Sequence, residues 1–587
     1  MNGRRLRLLV LGGYGTFGGR VVRLLCTEPS LSLIVAGRSL AKAEAFCRTL
    51  APGAQREAAA VDRDGDLEQA FQALEPDIVI DATGPFQMYG ENPYRVVEAA
   101  IAAGAHYLDL ADGSGFVRGI TQFDYEAKVQ GLAVLSGVSS FPVLTSAAAR
   151  LLARDLEHVD AITAGIAPSP FASYGLNVIR AIAGYAGQPV KMRRGGKDGI
   201  GRGIAEMRRY AVAPPGHVPL QPTEFALVDV PDLLLLAELW PEVQDIWVGA
   251  GPVPVNLQRI LRLLAWLVAR GWFPSLSPFA KLMFWAVNNI RWGEDRGGMF
   301  VELEGRNAAG VRETRSWHML VEGAGGPWIP SMAVAAIIRK WLAGLVPMPG
   351  ARPALEELEL SDYQPYFARQ QIVWGLRRRT AAEVSGPNDV PGGQGLFAQL
   401  LGEAFDALPP SLRFVHGESP QLQLHGHASI VRGSALLARF AARVFGLPRA
   451  APKVPVTVTF ERTPEGEKWT RDFGGQRFST TLFAGKGRHE RLLCERFGPL
   501  TFAMALVVDG DRLQLMMRGW RVFGVPLPRA LAPRGSTWEF ESNGCFRFHV
   551  EIDVPLIGRI VAYEGYLEPD ANRHVLDVVL EPVSDYG

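Results

Sequence analysis

Near the start of the chain, Leu8-Leu9-Val10-Leu11-Gly12-Gly13-Tyr14-Gly15-Thr16-Phe17-Gly18-Gly19-Arg20-Val21-Val22 restricts the possible folds more than any other stretch. Four apolar residues run into a glycine-rich turn, and an apolar-periodic segment comes next. The order predicts a buried strand, a tight turn and a helix. Gly13, Gly15 and Gly18 fit a G-x-G-x-x-G spacing. Gly13 serves the tight turn, Gly15 lets the backbone approach a diphosphate, and Gly18 allows close packing of helix on strand. Thr16 and Phe17 lie where the helix begins, and its free N–H groups and positive end face the phosphates.

In a chain with 64 glycines that spacing alone is weak, and three later strands add to it. A second apolar run, Leu31 to Gly37, ends in Arg38-Ser39, with Arg38 about 20 residues past the last motif glycine. An acidic residue there would accept the ribose 2′-OH of NAD, whereas a guanidinium favours the 2′-phosphate of NADP. A third strand, ending Val61-Asp62, brings Asp62 toward the adenine. A fourth, Asp77 to Asp81, runs into Thr83-Gly84-Pro85. The expected ligand is therefore NADP, with NAD second.

At 587 residues the chain has room for about three or four domains. Hydrophobic residues make up 48% and charged residues 21%, as in soluble globular proteins. A net charge of +1 gives no reason to expect nucleic acid as a partner. Four scattered cysteines, with no CxxC, support neither a disulfide framework nor structural zinc, and no metal site is expected. The apolar N-terminal run lacks the cleavage region of a signal peptide, so a cytoplasmic location is expected.

From 1 to 145, strands alternate with helical patterns, as in a doubly wound parallel sheet. Ligands lie outside the carboxyl ends of such strands. Thr83 to Phe86, Asp109 to Ser114 and Val138 to Pro142 are thus expected around one crevice. Tyr107, Asp109 and Asp112 are the candidate proton donors there; the competing reading makes the two aspartates cap or turn residues and Tyr107 a core residue.

Gly12-Gly13-Tyr14-Gly15-x-Phe17-Gly18, Ala36-Gly37-Arg38, Gly84-Pro85-Phe86 and Tyr107-x-Asp109-Leu110 together resemble the saccharopine dehydrogenase-like NAD(P)-binding oxidoreductases. The resemblance covers the first 145 residues. It implies a Rossmann fold, NADP in the crevice, hydride transfer, and a substrate domain inserted into the nucleotide domain. Enzymes of that type tend to carry an acidic residue after the sixth strand. Here the loop reads Gly137-Val138-Ser139-Ser140-Phe141-Pro142, without a carboxylate.

The expected order of domains is a Rossmann domain at 1–145, an inserted α+β substrate or dimerisation domain at 146–315, a return to the first domain at 316–375, a linker at 376–395 and a β-rich domain at 396–574. The return is expected to begin with a strand at Trp317 to Gly323. Lys191 to Lys197 reads as a basic, glycine-rich loop. Residues 257–292 read as two short tryptophan-bearing amphipathic helices, too short to span a bilayer. Such a pair either contacts a membrane interface or greasy substrate, or is buried as a hairpin or homodimer face. His318 reads as a packed core histidine, and His425 with His427 as surface polar residues. The last domain alternates at period two, as an antiparallel sheet, curled or sandwiched, would. Trp469-x-Arg471-x-Phe473-Gly474-Gly475 and Phe523-Gly524-x-Pro526-Leu527-Pro528 resemble an uncharacterised domain, DUF4166-like, fused behind saccharopine-dehydrogenase-like modules.

Two functions remain open on sequence. One is an NADP-dependent oxidoreductase acting on a small-molecule substrate, apolar or lipid-like in one reading. The other is a non-catalytic NADP-binding protein whose C-terminal domain holds a lipid or protein partner.

Overall fold

The computed structural model describes residues 4–172, 175–251, 255–291, 293–380 and 395–569. They divide into two compact units, one within Met1–Val212 and Thr223–Thr380, the other taking Ala213–Pro222 and the chain after Thr380.

The first unit holds two seven-stranded sheets. One gathers β1 (Leu6–Leu11), β2 (Leu31–Gly37), β3 (Gln55–Ala60), β4 (Ile78–Asp81), β5 (His106–Asp109) and β6 (Ala133–Ser136). The other starts with β7 (Leu156–Ala167); β8 (Pro189–Arg194) and β9 (Lys197–Arg202) form a separate hairpin. The second sheet continues with β10 (Met207–Tyr210), β11 (Thr223–Leu227), β12 (Asp245–Ala250), β13 (Arg296–Asn307) and β14 (Arg312–Glu322). Then β15 (Gly350–Pro353) returns to the first sheet, and β16 (Val373–Thr380) returns to the second.

The first sheet runs β15-β6-β5-β4-β1-β2-β3 and is parallel throughout. Its central strands are buried at all but Arg7 and Gly37, because helices cover both faces. The order turns back on either side of β1, and ligand crevices form at such a switch point. The fold is a Rossmann doubly wound sheet with an inserted α+β domain. The second sheet, β10-β11-β12-β7-β13-β14-β16, is mostly antiparallel.

Three expectations change. Trp317 to Gly323 does not return to the first sheet: β14 pairs with β13 and β16 in the second. A tight turn decides this. Asn307 Oδ1 accepts from the Ala309 and Val311 amides, and Gly310 has φ +73°, so β13 folds straight back into β14. Leu376 to Thr380 is strand rather than linker; the stretch 381–394 of that expected linker lies outside the described residues. Lys191 to Lys197 is the tip of the β8–β9 hairpin, where Gly195 and Gly196 both take positive φ, as a two-residue turn of this kind requires.

In the second unit, eleven strands come in succession: β17 (Gln421–Arg432), β18 (Ala451–Thr463), β19 (Gly466–Phe473), β20 (Gln476–Ala484), β21 (Leu493–Phe497), β22 (Leu500–Asp509), β23 (Arg512–Val522), the short β24 (Val525–Pro526), β25 (Thr537–Ser542), β26 (Cys545–Val554) and β27 (Gly558–Pro569). Ten close into an antiparallel barrel, because β22 pairs with both β21 and β23. Closure leaves no open edge. Alternate residues point inward, such as Leu424, Ala428 and Ile430 on β17 or Val456, Val458 and Phe460 on β18. Before β17, the helices Leu396–Leu401 and Pro410–Val415 add Phe397, Leu401 and Leu412 to the same core. There His416 Nε2 bonds Glu539 Oε2 at 2.6 Å, under a stacked Phe397 ring.

Candidate functional site

The turn after β1 is built so that few side chains would fit. Gly12, not Gly13, has the left-handed backbone, with φ +70°. A Cβ on Gly12 would lie 2.8 Å from the Ala82 carbonyl oxygen, and one on Gly13 would lie 2.8 Å from that of Val10. A Cβ on Gly18 would lie 2.4 Å from the Gly12 carbonyl oxygen. Gly12, Gly15 and Gly18 form a second, overlapping spacing, G-x-x-G-x-x-G. The tight-turn role expected of Gly13 therefore belongs to Gly12, while Gly13 is held small by strand contact. The Gly15 amide donates to the Gly12 carbonyl at 2.8 Å. The amides of Thr16, Phe17 and Gly18 have no acceptor among the described residues. They open onto the first turn of α1 (Gly18–Leu25), which holds no acidic side chain. A side-chain-free cradle with unpaired amides fits a diphosphate.

At the end of β2, the Tyr14 hydroxyl accepts from the Ser39 amide at 3.1 Å, and its ring lies where a Cβ on Gly37 would be. Ser39 caps the helix α2 (Leu40–Arg48). Arg38 is exposed and has no carboxylate within ion-pair reach among the described residues. Asp62 is exposed and accepts from the Asp64 amide at 3.2 Å. Neighbouring Arg63 lies over the Tyr89 ring, 3.3 Å from its centroid.

The ends of β4 and β5 hold two buried carboxyl groups. Asp81 Oδ1 accepts from Thr83 twice, from its amide at 2.9 Å and its hydroxyl at 2.6 Å, and the Tyr89 hydroxyl is 2.6 Å from that of Thr83. Burial raises the Asp81 pKa against these donors. Gly84 and Pro85 come directly after Thr83, joined by a cis bond. Asp109 accepts from the amides of Ala111 (2.9 Å) and Gly137 (2.8 Å), so it ties the loop after β5 to the loop after β6. Burial pushes it up to about 7, with both amides opposing. Tyr107 is fully buried in the core. Tyr107 and Asp109 both have 0% of their surface exposed.

Asp112 is different. It is exposed, and its Oδ1 accepts from Gln87 Nε2 at 2.9 Å. Two residues on, the Ser114 hydroxyl donates to Asp229 Oδ1 at 2.7 Å. Burial, then the charges of Asp112 and Asp229, raise the Tyr185 phenol. The crevice at the end of β5 thus collects Gln87, Asp112, Ser114, Tyr185 and Asp229. Tyr185 and Asp229 come from the inserted domain, far along the chain from Asp112, so no local pattern announces them.

A further carboxyl stands beyond the loop after β6. Asp232, at the start of the helix Asp232–Leu239, is fully buried, and neither carboxyl oxygen has a hydrogen-bond partner among the described residues. The Thr145 hydroxyl beside it is turned to the Ser140 carbonyl at 3.1 Å. Burial pushes Asp232 up to about 7. Its folded pKa lies above the unfolded value, so the folded form keeps a proton that the unfolded chain has released. Stability conferred this way is complete below about pH 4 and is lost as pH rises to about 7. In Asp232→Asn the fall in stability between those pH values should be shallower by on the order of 3 kcal/mol, measured by denaturant unfolding across pH. An unchanged slope would mean that Asp232 ionises normally.

Residues 8–133 match the family model described as the saccharopine dehydrogenase NADP binding domain. The first domain is of that family. Residues 408–567, which form most of the barrel, match a domain of unknown function, DUF4166. A curated relative, the lipid droplet localized protein of Caenorhabditis elegans, is 32% identical over 149 residues, 24% of this chain and 34% of that protein. The chain therefore spans about a third of the length of that relative. Among solved structures, saccharopine dehydrogenase (L-Glu forming) from Saccharomyces cerevisiae aligns at 16% identity with a TM-score of 0.46, over 64% of this chain and all of that one. A Synechocystis biliverdin reductase aligns at 13% identity with a TM-score of 0.28, over 58% and 92%.

The described residues hold no group of three or more His, Cys, Asp or Glu arranged to bind a metal. His425 Nδ1 meets Thr457 Oγ1 at 3.0 Å, and His318 is buried with Ser316 Oγ at 2.9 Å from its Nε2. No described helix is long and apolar enough to cross a membrane. The helices Val255–Ala269 and Ala280–Asn289 leave a broad apolar surface exposed, including Ile260, Leu263, Trp266, Leu282 and Trp285, with Trp272 at 73% exposure between them.

Proposed function

We propose that this chain is an NADP-dependent oxidoreductase of the saccharopine dehydrogenase type, acting on an apolar substrate drawn from a lipid phase in the cytoplasm. The observation that carries the reading is the cradle after β1: three unpaired amides, closed to side chains by Gly12, Gly13 and Gly18, with an unpartnered guanidinium at the end of β2. Gly15, Thr16, Phe17 and Gly18 hold the diphosphate. Arg38, Ser39 and the Tyr14 ring take the 2′-phosphate and ribose, and Asp62 faces the adenine. Thr83, Gly84 and Pro85 border the nicotinamide side.

When bound, the nicotinamide supplies the hydride. The chain's own residues orient the substrate and move its proton. Asp112 and Asp229, whose charges both act on Tyr185, are the polar groups of the crevice that meet a substrate at its polarised C=O, C=N or C=C bond. The buried Asp109 acts as a positioning residue that fixes the loops after β5 and β6.

Two observations favour an apolar substrate. The exposed helices at 255–289 present tryptophans and leucines, and from Val255 to Trp292 the sequence has five cations and no Asp or Glu. That combination suits an interface lined by lipid head groups. The relative named for lipid droplets points the same way. The alternative, a homodimer sealed by the same surface, would bury those tryptophans.

NADPH consumption, tracked by its fluorescence against panels of imines, ketones and enoyl lipids, tests turnover. Oxidation with a lipid-like member is expected. Binding without turnover across the panel would leave a non-catalytic NADP-binding protein. Arg38→Asp should weaken NADP binding by about 100-fold and NAD by less than about threefold, because a like charge then meets only the 2′-phosphate. Equal losses, by calorimetry, would remove Arg38 from the site.

A further inference from the structure

The barrel has two unlike ends. One is closed by the helices Leu396–Leu401 and Pro410–Val415, whose apolar residues join the core. The opposite end carries the β17–β18 connection, the β23–β25 connection and the β26–β27 turn. The pairings of Arg432 with Val561 and of Arg534 with Asp553 bring these segments to the same rim.

The helix Leu436–Val444 on this rim is turned the wrong way for a globular protein. Ala438 and Ala442, its small residues, face the barrel. Its large apolar residues face outward: Leu436 is 80% exposed, Leu437 63%, Phe440 67% and Val444 62%. Phe523 in the second connection is 83% exposed, and Leu556 at the turn is 99%. Large apolar side chains projected together from three separate connections are not the scattered exposure expected on a soluble surface.

The charges of these connections are one-sided. Between Val431 and Lys453 there are five Arg or Lys and no Asp or Glu; between Arg518 and Gly535 there are four and none. Arg439 and Arg443 sit on the exposed helix among its leucines and Phe440, and Arg529 and Arg534 lie on the second connection. The acidic residues near the end of β26, Glu551 and Asp553, are paired with Arg559, and the turn itself, 555–557, has none. Apolar tips within a basic rim, on a helix lying across the end of a barrel, match an anionic phospholipid surface: the tips enter the acyl boundary while the arginines meet head-group phosphates.

We infer that this end of the C-terminal barrel is a docking face for membranes or droplets bearing anionic phospholipid. The inference does not rest on the cofactor reading, and its test reads lipid binding alone. Full-length protein is sedimented with vesicles of phosphatidylcholine, or of phosphatidylcholine mixed with phosphatidylserine, at low and high salt. The wild type should bind the mixed vesicles, more weakly at high salt, and bind phosphatidylcholine less. The pair Phe440→Asp and Phe523→Asp should lower binding about tenfold, and the pair Arg439→Glu and Arg443→Glu should remove the preference for phosphatidylserine. All four side chains are exposed, so thermal unfolding should match the wild type. Unchanged binding in both pairs overturns the inference. So does a loss produced only by Trp272→Asp with Trp285→Asp, or a light-scattering dimer that the phenylalanine pair splits into monomers.

Discussion

Gly18→Ala is expected to lower affinity for NADP by at least about 100-fold, or ~2.7 kcal/mol. The added methyl would stand 2.4 Å from the Gly12 carbonyl oxygen and 2.9 Å from its carbonyl carbon, both backbone atoms that no side-chain rotation can move. Relief requires α1 to back away from the turn, and the amides of Thr16, Phe17 and Gly18 go with it. Each hydrogen bond to a charged group is worth roughly 1.5–3 kcal/mol, so misdirecting two of three accounts for the loss. The fold should survive, since the central strands are buried independently of the turn. Calorimetric titration beside a thermal melt separates the two effects. Wild-type affinity in a folded Gly18→Ala protein would show that the cradle does not hold the diphosphate.

Glu313→Ala should cost about 3 kcal/mol of stability. Glu313 lies on β14, its side chain 1% exposed, and it receives Arg315 Nε at 2.9 Å, Arg378 Nη2 at 2.6 Å and Asn307 Nδ2 at 2.6 Å. One carboxylate thereby joins the turn after β13, β14 itself and β16. Burial alone would raise its pKa; the donated hydrogen bonds from Arg378, Arg315 and Asn307 outweigh it and hold the group at about 2. Because the folded value lies below the unfolded one, this stabilisation is complete above about pH 4.5 and is lost as pH falls toward 2. The variant should therefore unfold at lower denaturant at pH 7 and differ least from wild type near pH 2. A difference independent of pH would mean that the loss comes from packing and not from the charge network.

The Rossmann sheet is legible in the sequence because its signals are local: four apolar residues, a glycine turn and a helix read directly from Leu8 to Val22. The same stretch misleads on one point. Gly13-x-Gly15 and Gly12-x-x-Gly15 overlap, and only backbone angles separate the residue that needs a left-handed turn from the one that needs a small contact. The partner of β14 is hidden because the apolar run from Trp317 to Gly323 suits either sheet, while the deciding signal, the Asn307 to Gly310 turn, lies upstream. Closure of the barrel depends on β22 pairing with β23 as well as β21, and alternation within each strand is the same in a barrel and a sandwich. Asp229, Tyr185 and Asp232 carry no motif; they matter because the inserted domain brings them to the nucleotide sheet. Exposure is equally hidden. An apolar helix face at 255–289 or 436–444 reads the same in sequence whether it is covered or exposed, and the packing of the small residues Ala438 and Ala442 shows which side of the second helix faces water.

The most direct test of the cofactor site is calorimetric titration of the full-length protein with NADP and, separately, with NAD. Saturable binding of both to one site per chain is expected, with NADP the tighter ligand. Absence of heat with either, from a folded sample, would contradict an oxidoreductase built on this cradle.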